Sequence, residues 1–129
     1  MLKSKNVIKN GPDDEIIRCK KWIKGALKLL NTHNFSDIRK GILNGVYTLW
    51  PAPDGCLVTE FVEYPKMRVL NVFLGGGKLE RLIDMRQSIE SFAIATGCKK
   101  LSITGREGWA KVFLKDGLVR EAVVMSKEL

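Results

Sequence analysis

Three glycines and a lysine, in Leu74-Gly75-Gly76-Gly77-Lys78, are the residues of this 129-residue chain that bear most directly on chemistry. Glycine permits backbone torsions closed to other residues, so successive N–H groups can converge on one concave point. A helix begun at Lys78 adds unpaired N–H groups and the positive end of its dipole. Such a combination suits a phosphate or pyrophosphate, with Lys78 adding charge at the rim. A tight turn in which glycine merely fits is the equal alternative on this loop alone. The Gly-Lys-[Ser/Thr] ending of a Walker A loop is absent. A dinucleotide fingerprint is excluded too, because Glu80 occupies the place of its last glycine.

Other reactive side chains are sparse. Cys19, Cys56 and Cys98 are widely scattered, and with His33 as the only histidine no zinc-ligand spacing exists. Three reduced, partly buried thiols are expected. A Ser-His-Asp hydrolase would rest on His33 alone, which lies in the turn-like Asn31-Thr32-His33-Asn34. Net charge is +8, and residues 1–50 hold 10 Lys/Arg against 4 Asp/Glu, so +6 of it lies in that part. A basic end suits an acidic partner such as nucleic acid, a membrane surface or a phosphate-bearing ligand; it equally serves solubility. No stretch approaches the roughly 18 apolar residues of a membrane span. Lysines between Met1 and Lys9 precede no apolar h-region, so no secretory signal is read and the expected location is the cytoplasm.

These residues must be positioned by elements that the hydropathy pattern outlines. Gly11-Pro12-Asp13-Asp14-Glu15 has the marks of a helix N-terminus. Ile16, Cys19, Ile23, Ala26, Leu27 and Leu30 then recur at helical spacing, with Lys20, Lys21, Lys24 and Lys28 on a neighbouring, solvated face. A second helix runs from Ser36 to about Leu43, stopped by Asn44-Gly45. Strands follow at Val46–Trp50, Cys56–Tyr64 and Met67–Leu74, the last buried and ended abruptly by the glycines. A helix from Lys78 to Thr96 comes next; Arg86 and Glu90 lie inside its apolar sector, either as an ion pair at its edge or with the Arg86 stem packed and its head in water. A strand at Lys99–Thr104, a short helix at Gly108–Lys115 and a final strand from Leu118 to about Ser126 complete the chain. Strand–helix–strand crossovers of this length favour parallel neighbours, so the class is α/β with a mixed sheet.

A family resemblance rests on several of these segments in order. They are Val69 through Gly77, the helix to Gly97, the strand Leu101-Ser102-Ile103, the run Gly108 to Gly117, and the ending Val124 to Leu129. Together they resemble the GNAT N-acetyltransferase superfamily over residues 46–129. The Gly-Arg-x-Gly-Trp-Ala run at Gly105–Ala110 is similar, more narrowly, to short GNAT-like proteins that tailed bacteriophages encode among their virion genes. The resemblance implies one domain over residues 1–129, with a helical part at 1–45 and a sheet and CoA-site part at 46–129. Its sheet would be mixed and mostly antiparallel, with a splayed central strand pair and helices on both faces. Acetyl-CoA or another acyl-CoA would lie in that splay and an amine would accept the acyl group. Asn71, Phe73 and Leu74 would line the opening, and the amides of Gly75, Gly76, Gly77 and Lys78 would hold the pyrophosphate.

The sequence departs from the family pattern at three places. Val72 stands where the pyrophosphate loop carries Gln or Arg; the asparagine after the next strand has no counterpart; and Phe113 or Leu114 falls where a tyrosine protonates the leaving thiolate. For a catalytic base, Glu60 and Glu63 are the candidates, pointing to opposite faces of the strand before the splayed one. The alternative is a non-catalytic virion or assembly protein that keeps the fold, acting among phage structural proteins in the host cytoplasm or the virion. Nucleic acid bound through Lys20, Lys21, Lys24 and Lys28 ranks last, and no membrane partner is expected.

Overall fold

A computed structural model describes residues 12–129; the polar start and the Gly11 breaker lie outside the described residues. Helix α1 (Pro12–Arg18) and helix α2 (Lys20–Leu30) form one kinked unit rather than one straight helix. At the kink the Cys19 N–H donates to Glu15 O at 3.0 Å, and the Ile23 N–H donates to Cys19 O at 3.1 Å. Ile16, Cys19, Ile23 and Leu27 are buried along the expected stripe. Asn31 ends α2 in the left-handed region at φ 53°. Helix α3 (Phe35–Leu43) starts one residue before Ser36 because Asn34 and Asp37 form a capping box, each side chain accepting from the other's N–H at 3.0 Å.

Strands β1 (Tyr47–Ala52), β2 (Gly55–Glu63), β3 (Arg68–Gly77) and β4 (Cys98–Ile103) make one sheet in that order. The first two pairings are antiparallel and β3–β4 is parallel. Pro51 is tolerated because β1 is an edge. Helices α1–α3 cover one face, where Ile23, Leu27 and Ile38 pack on Cys56, Val58 and Leu74. The other face carries Leu57, Leu70 and Val72 beneath Leu82, Ile89 and Ala93. Burying each such Leu or Ile contributes roughly 1.5–3 kcal/mol. The architecture is α/β with a mixed sheet and helices on both faces, as the sequence indicates.

Four sequence expectations are corrected. β3 does not stop at Leu74; it runs through all three glycines, which pair with Leu57, Cys56 and Gly55. The long helix is two: α4 (Leu79–Ile83) and α5 (Arg86–Ala95). They part at Asp84, a poor helix-interior residue, where the Met85 N–H bonds to Leu82 O one residue tighter than an α-helix allows. Arg86 therefore pairs with Asp116, in the short 3₁₀ turn Leu114–Asp116 after helix α6 (Glu107–Phe113), and not with Glu90. Lastly, residues 118–126 form no strand. Ion pairs from Arg120 to Glu107 and from Glu121 to Lys100 hold this tail in place of a ladder.

Candidate functional site

β2 and β3 lose their simple register at one point: Val58 pairs with Leu74 and Thr59 with Val72, so Phe73 is an extra residue on β3. Such a bulge bends the strand that carries it. The parallel pairing of β3 with β4 ends at the same place, at Val72–Ile103, with a last bond from the Thr104 N–H to Val72 O at 2.9 Å. Beyond it β3 continues to Gly77 while the segment after β4 turns into α6. The wedge between them is a cleft of about 240 Å³. Phe73, Leu74 and Gly75 form one wall and Thr104, Gly105, Arg106 and Trp109 the other; Ala26, Leu29 and Leu30 of α2 close its end.

Backbone polarity in this wedge follows from the ladder. The Tyr64 N–H donates to Met67 O at one end of the β2–β3 hairpin, and the Lys78 N–H donates to Asp54 O at the other. Alternation from both ends turns the amides of Asn71, Leu74 and Gly76 toward β2 and that of Gly75 toward the cleft. Close approach explains the glycines. A side chain on Gly75 would collide with the Trp109 ring, one on Gly76 would lie 2.9 Å from Trp22 Cβ and 3.1 Å from Trp22 O, and Gly77 has φ +98° beside Asp54. The three glycines extend β3 and form no turn. Trp109 narrows the cleft without filling it.

Asn71 is 8% exposed and lies at the root of the wedge. Its Nδ2 donates to Glu60 Oε2 at 3.0 Å, while its Oδ1 accepts from Ser102 Oγ at 2.8 Å and Thr104 Oγ1 at 3.2 Å. Two hydroxyl donors and one carboxylate acceptor fix which way the amide points. Thr104 lines the cleft, whereas Ser102 lines a second cavity of about 500 Å³ beside Tyr64, Lys66, Met67 and Lys100. Asn71 thus bonds to one lining residue of each cavity, Ser102 of the larger and Thr104 of the cleft. Tyr47 stands opposite Glu60 in the register, and its ring packs 5.0 Å from that of Phe73. Burial, then the Glu60 charge, pushes the Tyr47 hydroxyl above its ordinary range.

The two candidate glutamates diverge as their spacing requires. Glu60 joins Asn71, but Glu63 pairs with Arg68 at 2.5 Å on the opposite face, where Arg68 also caps Thr96 O and covers the Phe61 ring. Lys78 is exposed beyond the end of β3. Ser102, Thr104, Arg106, Trp109 and Tyr47 are not among the site residues expected from the sequence; Arg106 and Trp109 belong to the Gly105–Ala110 run, read there only as a family likeness, and Ser102-x-Thr104 shows strand alternation. Cys19, Cys56 and Cys98 are unpaired and buried. A hydrogen bond donated by the Cys56 thiol to the Cys19 sulfur, then burial, pushes Cys56 far up, and the same bond lowers Cys19. Among the described residues no His/Cys/Asp/Glu group could hold a metal, and no helix is long and apolar enough to cross a membrane. Lys20, Lys21, Lys24 and Lys28 are exposed, with Lys20 over Phe35 and Lys21 over Trp22.

No protein-family model matches the chain, and no curated protein matches it. Solved structures do. An aminoglycoside acetyltransferase from an uncultured soil sample, in complex with sisomicin, is similar at TM-score 0.68 and 9% identity, covering 92% of this chain and 90% of that one. A Trypanosoma brucei acetyltransferase gives 0.67 and 9%, covering 92% and 96%. A GNAT family acetyltransferase of Staphylococcus aureus gives 0.58 and 13%, covering 92% and 95%. The chain has the fold of the GNAT acetyltransferases.

Proposed function

We propose that this chain is an N-acyltransferase that moves an acyl group from acetyl-CoA or another acyl-CoA to an amine. The observation carrying this reading is the splay of β3 from β4 at the Phe73 bulge, which leaves the Gly75 backbone facing an open cleft. A pantetheine arm has amide groups of its own, so it can lie along that free edge as an added strand would. Phe73, Leu74 and Trp109 supply the apolar contact for its methylenes. The acceptor approaches Asn71 through the cavity that Ser102 lines.

In the transfer, the amine nitrogen bonds to the thioester carbonyl carbon and the carbon–sulfur bond breaks. Glu60, held as an acceptor by Asn71, takes the amine proton. Phe113 and Leu114 have no hydroxyl, so the leaving thiolate takes its proton from water. The test is thiol release from acetyl-CoA across a panel of amines. Release that depends on an amine, and that falls about 10²-fold in Glu60→Gln, is expected. Absence of amine-dependent release together with absence of binding at millimolar acetyl-CoA would sink the proposal.

A second reading is a phage particle component that keeps the fold without the chemistry. Val72, Phe113 and Leu114, apolar where the superfamily is polar, favour it. Copurification with assembled particles would support this reading, and a protein found only free in infected cells would refute it.

A further inference from the structure

The residues at the end of β3 do not suit the phosphate end of an acyl-CoA. The Lys78 N–H is taken by Asp54 O, the Trp22 backbone lies on Gly76, and Gly77 is wedged against Asp54. Helix α4 has only five residues and carries Glu80 in its first turn, which repels an anion. Of the three glycines only Gly75 lines the cleft. Across the wedge the situation is the reverse. Arg106 lines the cleft from the connection between β4 and α6. Gly105, just before it, lies flat on Trp109: an added Cβ would sit 3.2 Å from that ring. Glu107, the nearest acid in sequence, is engaged by both terminal nitrogens of Arg120, one of them at 2.9 Å. The Arg106 charge is therefore left for something else in the cleft.

We propose that Arg106, and not the Gly75–Lys78 segment, anchors the phosphate of the acyl carrier; this rests on the acyl-CoA reading above. A guanidinium presents its donors as a rigid planar fork that matches two phosphate oxygens, so one arginine can replace several loop amides. The carrier then runs from Asn71 along the Gly75 edge and leaves the cleft on the Arg106 side, away from Lys78.

The experiment is a calorimetric titration of the full-length protein, Arg106→Gln and Lys78→Gln with acetyl-CoA, acetyl-phosphopantetheine and phosphate-free acetyl-pantetheine. Loss of a charge-assisted bond of this kind weakens binding about 10- to 100-fold. Arg106→Gln should lose that factor for acetyl-CoA and keep the parent affinity for acetyl-pantetheine, with Lys78→Gln unchanged on both. If acetyl-phosphopantetheine loses as much as acetyl-CoA, Arg106 holds the phosphate next to the arm; if only acetyl-CoA loses, it holds one further out. An Arg106→Gln protein that binds acetyl-CoA normally overturns the inference alone. A parent protein that binds none of the three overturns the acyl-CoA reading with it. Both substituted side chains are exposed, so an unchanged thermal midpoint separates lost binding from lost folding.

Discussion

Asn71 and Glu60 face each other across β2 and β3, and the Asn71 amide N–H donates to the Glu60 carboxylate at 3.0 Å while its oxygen accepts hydrogen bonds from two hydroxyls on the β4 side. One buried side chain thereby ties three strand segments together at the point where the sheet opens. Asn71→Ala leaves a carboxylate and two hydroxyls without this partner, so about 1–3 kcal/mol of stability should be lost in urea unfolding. Asn71→Asp is the sharper probe. It puts two carboxylates about 3 Å apart, which raises the folded-state pKa of the pair. A raised pKa means that the folded form binds the extra proton more tightly, so stability should increase as pH falls from 7 toward 5. A thermal midpoint of Asn71→Asp that fell over that range would contradict the network.

The wall of the cleft tests differently. Gly75→Val would place a side chain against the Trp109 ring, and Gly76→Val would place one on the Trp22 backbone. The first should reduce acyl-CoA affinity with a modest stability cost, because a ring can move. Pairing it with Trp109→Ala should restore part of the affinity. Gly76→Val meets backbone, which cannot move without shifting α2, so about 1–3 kcal/mol of stability should go. Equal unfolding midpoints for the two glycine variants would argue against these contacts.

Acid should release the C-terminal tail. Arg120, by hydrogen bond and charge, holds the Glu107 carboxyl below its ordinary value of 4.5. A depressed carboxylate contributes its attraction above the unfolded value and loses it as pH falls through the folded one. In a carboxyl-carbon NMR titration Glu107 should have its midpoint below 4.5, and Arg120→Gln should move it up. No movement would place the tail elsewhere.

The thiols give a fourth prediction. Cys19, Cys56 and Cys98 are buried, and Cys56 is pushed up by its Cys19 partner and by burial, so little thiolate forms there at neutral pH. A disulfide reagent at pH 8 should label all three only in denaturant. Fast labelling of Cys19 or Cys56 in the native protein would contradict the packing of the N-terminal helices on β2, and fast labelling of Cys98 the packing of α5 on β4.

The strands, their antiparallel hairpins and the apolar stripe of α2 were legible because period two and period 3.6 differ plainly in the pattern. The opposite orientation of Glu60 and Glu63 followed from strand alternation alone. The Phe73 bulge was not legible: Val72-Phe73-Leu74 is ordinary strand sequence, and the extra residue is defined only by pairing with Val58 and Thr59. The glycines misled for a related reason. Their lack of side chains accommodates Trp22 and Trp109, distant in sequence, whereas local reading credits them to a turn. The final strand failed because Val119, Val123 and Val124 have strand propensity but no ladder partner in the structure, where ion pairs hold the tail.

The central claim is that an acyl thioester lies between β3 and β4, and amide chemical-shift mapping with acetyl-CoA tests it most directly. Titration should move the resonances of Phe73, Leu74 and Gly75 together with Thr104, Gly105 and Arg106, leaving the hairpin at Pro53–Asp54 still. Shifts confined to another surface, or none at millimolar ligand, would contradict it.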